Sequence, residues 1–202
     1  MYEYKSLSEL TREFDAKHFP SPSKIFAGLN REQHEFFRAQ MQNPKSAIYE
    51  AVQRGRKVHR ALETDTATDA LERAVLRKFK QEIGTDIDEV WGREQGLISI
   101  RKEFKGKFDG VGVFRGLETV WDYKKVNRPK TESQVKNYFK QCAAYAIAHD
   151  EMYGSEIEQL AIMTVYGKTP RELGTCVFTL TGAELKKAKS DFLEDLRRFN
   201  QL

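Results

Sequence analysis

The run Lys107-Phe108-Asp109-Gly110-Val111-Gly112-Val113-Phe114-Arg115-Gly116-Leu117-Glu118-Thr119-Val120-Trp121-Asp122-Tyr123-Lys124 decides the architecture. Val, Phe, Thr, Trp and Tyr fill two arms, 107–114 and 117–124, on either side of Arg115-Gly116. That composition and punctuation predict a β-hairpin. Arg-Gly is a weaker two-residue turn than Asn-Gly, and a four-residue loop about the same centre gives the same pairing. Counting outward, Phe114 faces Leu117, Val113 faces Glu118 and Asp109 arrives opposite Asp122. Opposed residues on antiparallel strands hold their Cβ atoms about 5 Å apart. Lys124, two residues beyond Asp122, joins the same face. Two carboxylates that close call for a positive charge between them, and a divalent cation with oxygen ligands meets that need. An exposed acidic sheet face neutralised by Lys124 is the plainer alternative. Val111 and Val120 on the same face argue that it is covered, where polar groups need partners.

A second cluster lies upstream, on a helix expected from Pro44 to about Glu63. Ile48, Val52, His59 and Glu63 fall along one side, with His59 and Glu63 one turn apart. Arg54, Arg56, Lys57 and Arg60 make the adjoining surface basic. Gly55 costs about 1 kcal/mol relative to alanine inside a helix, so close approach of another group to the backbone is expected there.

The order Pro-Ser, Arg-Gly-x-x-Val-His-x-x-Leu-Glu, Gly-x-x-Asp, Asp-x-Lys, running from Pro20 to about Gly167, resembles the PD-(D/E)XK nuclease superfamily. Within it the chain is similar to the RecB-like exonuclease branch, including the mitochondrial genome maintenance exonucleases and related phage exonucleases. The resemblance implies a restriction-endonuclease-like α/β core with a central mixed sheet flanked by helices. It implies Mg²⁺ or Mn²⁺ held by His59, Asp109, Asp122 and the Tyr123 carbonyl, with Lys124 completing the catalytic set of Asp109, Asp122, Lys124 and His59. Glu63 matches a glutamate one turn after the histidine, and Glu94 falls where relatives carry an acidic residue in the first strand. Gln141 and Tyr145 match the Gln-x-x-x-Tyr motif that follows Asp-x-Lys. They are expected to position the substrate strand, with Tyr145 stacking on an unpaired base. Lys125 departs from the small hydroxyl residue usual after the motif lysine. With Arg54, Arg56 and Arg128 it is expected to contact the nucleic-acid backbone.

Composition sets outer bounds. At 202 residues, 40% hydrophobic and 32% charged, the chain suits one ordered domain, 1–202, with an N-terminal arm over 1–20 that has little periodic signal. A net charge of +4 and a pI near 8.9 fit a nucleic-acid partner without establishing one. No apolar run approaches the ~20 residues of a membrane span. The opening Met1-Tyr2-Glu3-Tyr4-Lys5 lacks a signal or transit pattern, so a cytoplasmic location in a bacterium or phage-infected cell is expected. Two distant cysteines, Cys142 and Cys176, cannot build the four-cysteine iron–sulfur cluster that some RecB-like nucleases carry. Further helices are expected over 31–42, 66–84, about 134–153 and from Thr181 onward, with strands in 86–100, 160–166 and 175–180.

The expected function is therefore a metal-dependent DNA exonuclease that favours single-stranded ends or flaps, with DNA as partner and no membrane. A DNA-binding recombination accessory of the same fold is the rival from another class. Such a protein would usually lose an acidic ligand or the lysine, and neither is lost. A sequence-specific endonuclease would need a base-reading module, and the chain has no helix-turn-helix or zinc motif.

Overall fold

The structure is a computed structural model and describes residues 2–202. Its centre is the hairpin, β4 (Gly110–Phe114) and β5 (Leu117–Val126), in the register that alternation predicts: Phe114 opposite Leu117, Val113 opposite Glu118 and Gly110 opposite Trp121. The turn is a tight two-residue one. Arg115 and Gly116 both take positive φ, 52° and 78°, as a type I′ turn requires. Arginine is poorly suited to that conformation and is held there by neighbours. Its Nε and Nη2 donate to Asp86 Oδ2 at 2.9 and 2.8 Å, and the Gly116 N–H donates to Asp88 Oδ2 at 2.8 Å.

The hairpin sits inside a five-stranded mixed sheet. β1 (Ile87–Arg93) pairs antiparallel with β4, β6 (Gln159–Tyr166) runs parallel to β5, and β7 (Gly174–Thr181) closes the far edge antiparallel to β6. The parallel step from β5 to β6 needs a crossover, supplied by α6 (Glu132–Tyr153). A separate two-stranded sheet joins β2 (Gly96–Ser99) to β3 (Phe104–Lys107).

Alternation along β5 sorts the core. Val120, with Val111, Leu160 and Ile162, packs under α6 and α7 (Gly182–Phe199), against Val135, Phe139, Cys142 and Phe192. Trp121 and Tyr123 turn to the opposite face, against Val58 and Leu62 of α4 (Ala47–Thr64) and Val75 and Phe79 of α5 (Ala70–Glu82). Full burial of such side chains contributes about 1.5–3 kcal/mol each, so both faces are stable only with helices on them.

Several boundaries differ from those the sequence predicts. α4 begins at Ala47, not at Pro44, because Ser46 Oγ accepts from the Ile48 and Tyr49 amides. α5 begins at Ala70, capped by Asp69 and not Thr66, and it ends at Glu82; Gly84 lies in a short 3₁₀ turn, 84–86. The segment expected as an arm contains α1 (Leu7–Glu13), closed by a Ser6–Glu9 capping box, with Leu10 and Ala16 buried. The Lys5 carbonyl accepts from the Gly96 N–H at 3.0 Å, tying that segment to β2. α2 (Pro22–Leu29) and α3 (Arg31–Met41) follow it. No helix among the described residues is long and apolar enough to cross a membrane.

Candidate functional site

The expected strand 107–114 is broken. The chain leaves the small sheet at Lys107, bends through Phe108 and Asp109, and enters the large sheet at Gly110. Phe108 is fully buried and anchors the bend. The facing chain bends at the same level: Glu94 takes a left-handed φ of 54°, its N–H donates to the Asp109 carbonyl at 3.3 Å, and the Phe108 N–H donates to the Gln95 carbonyl at 3.2 Å. A non-glycine residue in that region is strained, and here the strain turns the Glu94 side chain toward the corner.

Because β4 begins only at Gly110, β5 has no β4 partner beyond Trp121. Asp109 fills the gap, Oδ2 accepting the Tyr123 N–H at 2.8 Å. In extended backbone a residue's N–H and C=O point to the same side, so the Tyr123 carbonyl also faces the corner. A cluster of ionisable side chains meets there. His59, brought over by α4, places Nε2 2.8 Å from Asp109 Oδ2 and Nδ1 3.1 Å from Glu94 Oε1. The Lys124 ammonium lies 2.7 and 2.5 Å from the two oxygens of Asp122. Glu63, one turn beyond His59, brings the His59, Glu63 and Glu94 ligand atoms within 4.8 Å of one another. Glu94, only a loose match in sequence, therefore sits at the centre of the cluster. Lys107, to which no role falls in the sequence, pairs with Glu94. Its signal was its place two residues before Asp109.

The charges constrain one another. Burial, and then the nearby Asp109 charge, raise the pKa of Asp122, which is 1% exposed. Burial works the same way on Asp109, but the His59 hydrogen bond and the Lys124 charge outweigh it and hold that carboxyl below its usual range. Burial raises Glu94 despite its Lys107 partner. The Asp109 bond raises His59 against its own desolvation, favouring the protonated ring between two carboxylates. Burial would lower Lys124, but Asp122 and Asp109 raise it, and it stays an ammonium.

Two buried oxygens, Asp122 Oδ2 and Glu94 Oε1, lack a hydrogen-bond partner. Lys124 and His59 lie close to them but are not aligned to donate. Glu72 Oε1 and Glu118 Oε2, away from the corner, are left in the same way, so what distinguishes this site is the convergence of several carboxylates with an imidazole, the donor set a hard divalent cation takes. The residues present therefore fit such an ion.

The other expected residues divide. Arg54, Lys125 and Arg128 line one basic pocket. The Lys125 ammonium donates to the Val126 carbonyl at 3.0 Å and to the Gly167 carbonyl, and burial, then Arg54, lower its pKa. Arg56 is exposed on α4 and does not line that pocket. Gln141 Nε2 donates to the Tyr145 hydroxyl at 2.8 Å. Tyr145 is only 4% exposed, with its ring against Gly106, where an added Cβ would lie 2.5 Å from Tyr145 Cε1. The base stacking expected of Tyr145 is corrected accordingly, because no free ring face is presented. Nor does Gly55 receive a close neighbour, since nothing lies within 4 Å of its Cβ position. Tyr138, unmarked in the sequence, places its ring centroid 5.2 Å from Lys124 Nζ.

No family model matches the chain, and no curated protein matches it. Among solved structures the chain is similar to one described as a "putative exonuclease" from Eubacterium rectale, with a TM-score of 0.49 and 10% identity, covering 100% of this chain and 69% of that one. A likeness at that level leaves activity to be argued from the site.

Proposed function

We propose that this protein is a divalent-metal-dependent nuclease that hydrolyses phosphodiester bonds of DNA from an end, of the RecB-like PD-(D/E)XK type. The observation that carries the reading is the convergence of the Asp109, Asp122 and Glu94 carboxylates on His59 and the Lys124 ammonium at one corner. Asp109, Asp122, His59 and the Tyr123 carbonyl would hold Mg²⁺ or Mn²⁺, with Glu94 and Glu63 as nearby ligands for the same ion or a second one. When bound, the metal polarises a phosphodiester oxygen and lowers the pKa of a water ligand.

The chain's own residues supply the rest. Lys124, paired with Asp122 at the corner, offsets charge on the pentavalent phosphorane and orients the attacking water. Water adds to phosphorus and loses a proton to solvent, the bond to the leaving sugar oxygen breaks, and that oxygen takes a proton from solvent, so the products are a phosphate end and a hydroxyl end. Lys107 pairs with Glu94 and opposes the burial that raises its pKa. Gln141 and Tyr145 act as positioning residues behind the corner, through the Tyr145 ring packed on Gly106 beside Lys107. The expected preference for single-stranded ends came from Tyr145 stacking on an unpaired base, and the buried ring presents no face for it.

Asp109→Asn, Asp122→Asn and Lys124→Ala are each expected to lose nearly all cleavage while keeping the wild-type circular dichroism spectrum. A folded Asp variant with more than about a tenth of wild-type turnover would overturn the site, since a metal ligand supplies several kcal/mol of transition-state stabilisation.

A further inference from the structure

Beside the corner lies a 570 Å³ pocket at the end of β5, between α4 and the start of α6. Arg54, Lys125, Arg128, Lys130 and Lys168 line it, and no carboxylate does. None of the five has an ion-pair partner among the described residues, although nearly every other buried or half-buried charge at the site is paired. Lys125 is fixed at the wall by the Val126 and Gly167 carbonyls, which satisfy its hydrogen bonds and leave its charge unneutralised. The first turn of α6 contributes Gln134, whose Oε1 accepts the Thr131 N–H in the capping box that closes that helix end. Tyr138 lines the pocket and also stacks its ring on Lys124, so a single aromatic ring separates the pocket from the catalytic ammonium.

We infer that this pocket binds the terminal phosphomonoester of a nucleic-acid strand and so makes the enzyme depend on a phosphorylated end. The inference deepens the proposed function and relies on it for the path of the strand. An internal phosphodiester carries one negative charge and needs no convergence of this kind; basic residues spaced along a groove serve it. A terminal phosphate carries about −1.5 to −2 charges and three strong acceptor oxygens at pH 7. Five cations without ion-pair partners around one pocket match that ligand.

The test uses one oligonucleotide sequence in three forms: 5′-phosphorylated, 3′-phosphorylated and with both ends hydroxyl. Binding is read by fluorescence anisotropy in EDTA, and turnover with Mn²⁺ on the same three. At least one phosphorylated form is expected to bind and turn over about tenfold better than the hydroxyl form, the effect of one charge-assisted contact of about 1.4 kcal/mol. Lys130→Ala with Lys168→Ala is expected to bring that ratio toward one. Inorganic phosphate at millimolar concentration should compete for the phosphorylated form alone. Equal binding of all three forms overturns the inference and assigns the cations to the strand's internal phosphates. Cleavage without end preference would fail the inference and leave the nuclease reading standing, whereas preferential binding with no cleavage under any metal would fail the nuclease reading alone.

Discussion

His149 titration provides a quantitative check on the packing behind the site. This α6 residue is fully buried, with Nδ1 2.6 Å from Ser155 Oγ and Nε2 2.8 Å from the Tyr4 hydroxyl. Ser155 Oγ spends its proton on Asp150 Oδ1, at 2.8 Å. It must therefore accept from His149 Nδ1–H, which leaves Nε2 as the acceptor of the Tyr4 proton. The neutral ring is satisfied on both sides, and burial pushes its pKa down to about 4 from 6.5, against the opposing Asp150 charge. Between those values the unfolded chain takes a proton that the native ring refuses. Stability from this residue is thus complete above pH 6.5 and falls as pH drops toward 4. At roughly 1.4 kcal/mol per pH unit, the loss amounts to about 3 kcal/mol. Asp122 and Glu94, both raised, act in the opposite direction, since the native state takes their protons first. The informative quantity is therefore the difference between wild type and His149→Asn, whose amide can still donate to Ser155. Urea unfolding in EDTA from pH 7 to pH 4 should show that difference shrinking by about 3 kcal/mol. Parallel curves for the two proteins would refute the buried neutral tautomer and the docking of Tyr4 on it.

Three further outcomes follow from particular contacts. Gly55→Ala has open space for its methyl and should raise stability by up to about 1 kcal/mol in urea unfolding; if a strand passes over that turn, DNA affinity should fall in the same variant. Gly106→Ala drives a Cβ into the Tyr145 ring and should cost about 1–3 kcal/mol of unfolding free energy; no loss would mean the ring moves freely. Because Asp109 raises the His59 pKa, Mn²⁺ competes with a proton for the ring, so metal affinity should rise with pH through the His59 titration. Calorimetry in two buffers of different ionisation enthalpy should detect the released proton, and His59→Gln should abolish the release.

The central hairpin was legible because its signals are local: β-branched and aromatic arms, a glycine at the joint, and a period of two that sets the register from Phe114–Leu117 out to Gly110–Trp121, where the ladder ends before the expected Asp109–Asp122 pair. The mixed sheet with helices on both faces followed from the alternation of strands and periodic helices. The corner was not legible. Lys107 to Phe114 reads as one continuous strand, and its division between two sheets depends on burial of Phe108 and on the facing bend at Glu94, which are tertiary facts. Glu94 therefore looked peripheral, although its strained backbone makes it central. Tyr145 looked like a surface residue on a helix flank because sequence spacing does not show that Gly106 offers its ring a seat. Helix starts slipped at Pro44 and Thr66 because Ser46 and Asp69 supply the caps, and several candidate caps lay within a few residues of each other. The segment 1–20 gave no periodicity because α1 is only seven residues long and buries one side chain, Leu10.

The most direct test of the account is cleavage itself. A time course on 5′-end-labelled linear single- and double-stranded DNA, with a closed circular single strand as control, is run in Mg²⁺, in Mn²⁺ and in EDTA. The account predicts progressive loss of linear DNA from an end with either metal, an intact circle, and no reaction in EDTA or with Asp109→Asn. Cleavage that persists in EDTA, or a folded wild-type protein that leaves linear DNA intact with both metals, would contradict it.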